Sequence, residues 1–234
     1  MIRIGVTGTD TGVGKTVISC ALAAGLRRAG LRVAALKPVE TGVAFDDPTR
    51  DGARLSRAAG ELLPLTDTAP ITLPDPVAPL VAARACATAI DVDLLDAIVR
   101  SAESNADALI VEGAGGLLVP VTESLAYDDL FERWRLEVVL VAANRLGVIN
   151  HTRLTLAHLR RRGLRLRALI LNQIDAVPDR SARDNAALLA EVEGVQAIES
   201  PRLESVDDLE SLSDLLLPHV FPELEFAGRP LARR

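Results

Sequence analysis

Gly8-Thr9-Asp10-Thr11-Gly12-Val13-Gly14-Lys15-Thr16 is the stretch that decides how the rest of the chain is read. It follows a short apolar run at residues 2–7 and opens a stretch with helical periodicity, 15–29, which Gly30 stops. A glycine-rich turn between a strand and a helix lets backbone N–H groups converge on phosphate oxygens, and the helix N-terminus adds positive potential. In such a loop Lys15 reaches the β- and γ-phosphates of a nucleotide, and the Thr16 hydroxyl ligates Mg²⁺. The spacing departs from the common form: five residues separate Gly8 from Gly14, and Thr9 stands where a glycine is usual.

Working outward, further apolar runs lie at 31–36, 108–111, 138–142 and 166–171, with a weaker one at 195–198. Helical patterns fall between most of them, at 94–102, 154–161 and 182–192. Apolar strands alternating with helices predict a doubly wound α/β fold of the P-loop NTPase type, with a mainly parallel sheet covered on both faces. The length of 234 residues suits one such domain over 1–234. The segment 64–79 carries five prolines and is expected to be an ordered surface excursion leading to a helix near 80–86. The tail 228–234 is short and polar, and fraying is expected there.

Composition narrows the function. Hydrophobic residues make up 49% but aromatic ones only 3%, so the core is expected to be built from Ala, Val, Leu and Ile. A net charge of −6 argues against non-specific nucleic-acid binding. The cluster Arg160, Arg161, Arg162, Arg165 and Arg167 reads as a helix C-terminus carrying cations, with a strand beyond it. Cys20 and Cys86 have no metal-ligand spacing and are expected to be buried, reduced thiols. With no apolar segment of bilayer-spanning length and no leader pattern, a cytoplasmic protein with no membrane partner is expected.

In open parallel sheets ligands sit beyond the carboxyl ends of the strands. Lys37, Glu112, Asn144 and Asn172 each follow an apolar run and so fall at that edge. Glu112 stands where a carboxylate would approach Mg²⁺, and the Gly113-Ala114-Gly115-Gly116 that follows leaves a backbone-lined surface beside it.

Four motifs in order, the loop at 8–16, Lys-Pro-Val-Glu-Thr-Gly at 37–42, Val-Glu-Gly-Ala-Gly-Gly at 111–116 and Gly-Val-Ile-Asn-His-Thr at 147–152, together resemble the dethiobiotin synthetase family. The five-residue gap in the loop is that family's own form. The resemblance runs from residue 1 to about Leu203. It implies an ATP- and Mg²⁺-dependent closure of a cyclic urea on 7,8-diaminononanoate with CO₂ or bicarbonate, by way of a carbamate and its mixed anhydride with phosphate.

The resemblance also implies roles. Lys37 and Lys15 match catalytic lysines; Gly12, Val13, Gly14, Lys15, Thr16 and Val17 match the nucleotide loop, and Gly113, Ala114 and Gly115 its second wall. Thr16 and Glu112 match metal ligands, with Asp51 as the third; Asp46 and Asp47 lie close by and compete for that place. Thr41, where the family often has Ser, Gly116 and Asn150 match substrate contacts. Asn172 and Gln173 match the adenine-reading pair, often Asn-Asp, and Pro201, Arg202 and Leu203 border the base, with Arg202 in place of a typical aromatic. Asn150 is expected to cap a helix whose N-terminus, in the partner subunit of a homodimer, receives the substrate carboxylate; this is preferred to His151 acting as a base.

Three rivals share parts of this pattern. A partitioning-type ATPase often carries a second lysine in the loop, and residues 9–11 have none. An amide-forming enzyme of cobalamin synthesis would need a glutaminase domain, for which the chain has no room. A non-enzymatic nucleotide-binding module would not need Lys37 and Glu112 beside the loop.

Overall fold

The computed structural model describes residues 1–203 and 209–224. Strand β1 (Ile2–Gly8) lies at the centre of a six-stranded sheet. Around it run β2 (Val33–Leu36), β5 (Ala108–Gly116), β6 (Glu137–Ala143), β7 (Leu166–Asn172) and β8 (Ala197–Ser200), in the order β2-β5-β1-β6-β7-β8. Every pairing in it is parallel. Each strand found at the sequence level is present, which bears out the predicted fold class.

The strands are apolar on both faces because both are covered. Leu109, Val111, Val138, Leu140, Leu169 and Leu171 point into one core, while Ile110, Val139, Val141 and Ile170 point into the other. The first core is roofed by helices α5 (Val92–Asn105), α6 (Tyr127–Arg133), α7 (Val148–Arg162) and α8 (Asn185–Glu193). The second is roofed by α1 (Lys15–Arg28), α2 (Asp51–Ala58) and α9 (Leu209–Val220). Gly25 lets α9 lie directly on α1: a Cβ there would stand 2.0 Å from the Ser213 hydroxyl and 2.5 Å from Leu217. Few aromatics are present, but Tyr127, Phe131 and Phe221 are all fully buried.

Three expectations need correction. The proline-rich segment is not merely an excursion: it holds a short helix α3 (Leu65–Thr68) and a strand β4 (Ile71–Leu73). Strand β4 pairs in parallel with β3 (Val39–Thr41) in a separate two-stranded sheet, and α4 (Pro79–Ala85) follows with Pro79 in its first turn, where no N–H is needed. The central run 108–111 continues as strand to Gly116, because its far end pairs with Gly8 rather than leaving the sheet. Cys20 is buried, but Cys86 is exposed, since it caps the C-terminus of α4 instead of facing the core. The tail 228–234 lies outside the described residues.

Four of the five arginines of the cluster are paired within the fold. Arg160, Arg161 and Arg162 sit in the last turn of α7, as expected. Arg160 pairs with Glu193, Arg162 with Asp128 and Asp129, Arg165 with Glu137, and Arg167 with Glu137 and Glu223. Among the described residues no helix is long and apolar enough to cross a membrane.

Candidate active site

The carboxyl ends of β1, β5 and β2 open onto a cleft of about 680 Å³. Its floor is the loop between β1 and α1. Gly14 caps α1 in the left-handed region, φ 92°, and any Cβ there would lie 2.1 Å from the Asn172 amide nitrogen. Gly12, Gly14, Lys15, Thr16 and Val17 line the cleft, while Val13 turns inward into the core. The Lys15 ammonium donates to the Asp10 carbonyl at 3.0 Å, which arches the loop over its own lysine. Burial pushes the Lys15 ammonium down to about 8, and the neighbouring Lys37 charge adds to the shift. An incoming phosphate would oppose both effects.

Beside the loop is a buried network that none of its members could form alone. Glu112, at the turn of β5 toward the cleft, is wholly buried. Its Oε1 accepts from Lys37 Nζ at 2.5 Å and from the Thr16 hydroxyl at 2.8 Å. Lys37 Nζ also donates to Asp51 at 3.2 Å. Burial alone would lower the Lys37 ammonium, but Glu112 and Asp51 reverse that and hold it above its ordinary value. Burial likewise opposes ionisation of Asp51, and Lys37 and the Thr16 hydroxyl overcome it, so its carboxyl lies below the usual range.

The donor set fits a magnesium ion. Thr16, Asp51 and Glu112 bring one hydroxyl and two carboxylates together, and Glu112 Oε2 is buried without a hydrogen-bond partner among the described residues. Mg²⁺ keeps several waters and takes substrate phosphates as ligands, so few protein oxygens suffice. Among the described residues no group of three or more His, Cys, Asp and Glu is placed to hold a metal ion. Asp51 opens α2, whereas Asp46 is exposed and Asp47 spends Oδ1 on the Thr49 N–H and hydroxyl.

Thr41, Ala114 and Gly115 also line the cleft, together with the apolar residues Val43, Pro76, Val77, Ala78 and Val119. Gly113 is backed by the Tyr127 ring, and Gly116 faces a neighbouring groove with Thr9 and Thr11. Asn172 donates one side-chain N–H to the Val13 carbonyl at 3.0 Å, which fastens β7 under the phosphate loop and leaves its Oδ1 and second N–H for a base. The Gln173 N–H donates to the Ser200 carbonyl, so Gln173 and Pro201 lie side by side at the ends of β7 and β8, and Arg202 is exposed.

Two readings fail here. Asn150 does not cap its helix: Gly147 does, at φ 96°, and Asn150 sits exposed one turn in. Asn144 is not a site residue, because its amide holds Ala182 and Asn185 and braces α8. Three residues of the cleft were missed: Arg54, one helical turn after Asp51, and the buried pair Glu40 and Arg50. The Glu in Lys-Pro-Val-Glu-Thr-Gly was the one signal that could have flagged them.

A parallel sheet with a lysine-bearing loop at its switch point and a carboxylate at the next strand end defines a P-loop nucleotide-binding protein. Residues 3–214 match the AAA domain family. The chain is 41% identical to the ATP-dependent dethiobiotin synthetase BioD of Anaeromyxobacter sp. (strain Fw109-5), over 94% of its own length and 98% of the relative's. It is 35% identical to the enzyme of the same name from Aquifex aeolicus (strain VF5), over 88% of this chain and 91% of that one. The chain belongs to the dethiobiotin synthetase family, and it is an enzyme, an ATP-dependent cyclo-ligase. The signal recognition particle receptor FtsY of Elizabethkingia anophelis superposes with a TM-score of 0.51 at 18% identity. That match covers 92% of this chain and 64% of FtsY and reflects the shared fold alone.

Proposed function

We propose that the protein, acting as one domain over 1–234, forms dethiobiotin from 7,8-diaminononanoate, CO₂ and ATP, releasing ADP and phosphate. The observation that carries this reading is the convergence of Lys15, Thr16, Lys37, Asp51 and Glu112 at a cleft that also presents the apolar side chains of Val43, Pro76, Val77 and Val119. A diamine on an aliphatic chain has those two characters.

In this scheme one substrate amine adds to CO₂ and loses a proton, giving a carbamate. A carbamate oxygen attacks the γ-phosphorus and ADP departs. The second amine then attacks the carbamoyl carbon, phosphate leaves, and the ring closes. Phosphoryl transfer needs positioning and neutralised charge more than covalent help. Lys15 and Lys37 would supply two cations to the reacting phosphate, and Thr41 would offer a hydroxyl to the carbamate or amine. Thr16, Asp51 and Glu112 would hold Mg²⁺, which supplies further charge neutralisation when bound. Asn172, Gln173 and 201–203 form the base end, with Gln in place of Asp and Arg202 in place of an aromatic. Incubation with the diamine, bicarbonate, Mg²⁺ and ATP should yield dethiobiotin by mass spectrometry; ATP turnover without that product would refute the reading.

Asp51→Asn should raise the Mg²⁺ concentration needed for half-maximal rate by about tenfold. Asp46→Asn and Asp47→Asn should change it little, and a reversed ranking would move the third ligand into the preceding loop.

A cytoplasmic homodimer completes the reading. Leu146 and Leu154 are 83% and 65% exposed around the α7 N-terminus, and Leu118 at 58% shares a groove with Leu154 and Thr11 of the phosphate loop. Apolar side chains in that position suit a second copy, whose α7 N-terminus would receive the substrate carboxylate near Asn150. An Asn150→Ala variant should show a raised KM for the diamine with ATP affinity kept. Mixed with a Lys15→Ala variant under subunit exchange, it should regain part of the activity; no regain would argue against a shared site.

A further inference from the structure

We infer that Glu40 and Arg50 form a buried clamp that positions Asp51 against Lys37, an inference that rests on reading Asp51 as a Mg²⁺ ligand. Glu40 lies on β3, three residues beyond Lys37, and Arg50 is the residue immediately before Asp51. Their side chains are 3% and 0% exposed and meet at 2.6 Å. The same carboxylate accepts from the Gly52 N–H at 3.2 Å, through its other oxygen. Arg50 itself makes no side-chain cap to α2, so Glu40 caps that helix from outside it and places a negative charge at its positive end. Arg50 also donates to Thr72 at 3.2 Å, the residue paired with Glu40 across β3 and β4. Phe45 covers the guanidinium at 5.2 Å.

Stability alone does not account for this arrangement. A buried ion pair costs desolvation that an apolar pair of equal volume avoids. Here the cost is larger, because Arg50 Nε and Nη2 are buried with no hydrogen-bond partner among the described residues. The pair does supply direction. One end is joined by a short strand to Lys37, the other by a single peptide bond to Asp51, and the two clamped ends bring Lys37 Nζ and the Asp51 carboxylate to 3.2 Å. An apolar pair would fill the same space without fixing the start of α2 to that tolerance.

The test is the double variant Glu40→Leu/Arg50→Met, which keeps the volume and removes both charges. It should melt within a few degrees of wild type. The Mg²⁺ concentration that half-saturates binding of a fluorescent ATP analogue should rise about tenfold, and kcat should fall at least as far. The KM for ATP at saturating Mg²⁺ should stay within about twofold. Wild-type Mg²⁺ dependence and kcat in the folded double variant would overturn the inference. Should that variant fail to fold, Glu40→Gln, which keeps an acceptor for Gly52 but weakens the grip on Arg50, must show the same shift in smaller measure; wild-type constants there overturn it equally. Asp51→Asn measured alongside separates the two ideas. Unchanged Mg²⁺ dependence in Asp51→Asn removes the ligand reading itself. Weakened dependence there with wild-type behaviour in the double variant removes only the clamp.

Discussion

Lys15→Ala should abolish nucleotide turnover while leaving the fold intact. Charge building on the β- and γ-phosphates would lose its nearest cation, a change of roughly 4 kcal/mol in the barrier and about a thousandfold in rate. The fold should survive because Lys15 opposes it in the free protein. Burial pushes its ammonium down to about 8 in the folded chain against 10.5 for a free lysine, so between those values the unfolded chain binds more protons. Below pH 8 the buried charge weighs fully against folding, and the burden fades as pH rises toward 10.5. Lys15→Met, which keeps the packing of the stem, should therefore be at least as stable as wild type at pH 7, with a margin that narrows on going alkaline. Thermal melts across that range would check the sign, and wild-type turnover in either folded variant would remove the phosphate-loop assignment.

Lys37→Met should damage both activity and stability. Lys37 and Glu112 are 5% and 0% exposed, and the lysine is the closest cation to a carboxylate that has no access to water. Removing one partner of a buried pair costs about 3 kcal/mol or more, because the other charge is left alone. Lys37→Met/Glu112→Gln removes that orphan and should recover most of the stability in urea melts. On the proposed mechanism it should not recover turnover, since the second cation assigned to the reacting phosphate and a proposed metal ligand are both gone. Recovery of activity together with stability would mean that the pair only supports the fold.

Much of the framework was readable along the chain, and for local reasons. Strands β1, β5, β6 and β7 are buried on both faces, so each is a continuous apolar run with a glycine or polar residue where it leaves the sheet. Strands β3 and β4 were not readable. Three residues are too few to show a period, and prolines surround β4. Helix α9 lay beyond the last motif, and its seat on α1 depends on the missing side chain of Gly25, near the other end of the chain. Asn150 misled because an Asn near a helix start usually caps it, whereas here the left-handed Gly147 already turns the chain.

The sequence by itself determined the phosphate loop, the parallel sheet and the edge where chemistry gathers, since backbone direction, glycine freedom and strand burial are properties of a few consecutive residues. Tertiary structure alone decided that Glu112 faces Lys37 and Thr16, that Asp51 rather than Asp46 or Asp47 joins them, and that Glu40 grips Arg50. Those contacts link residues 10 to 96 positions apart. Their charges can share a buried space only once the sheet and the helices over it have excluded water, and no local pattern carries that information.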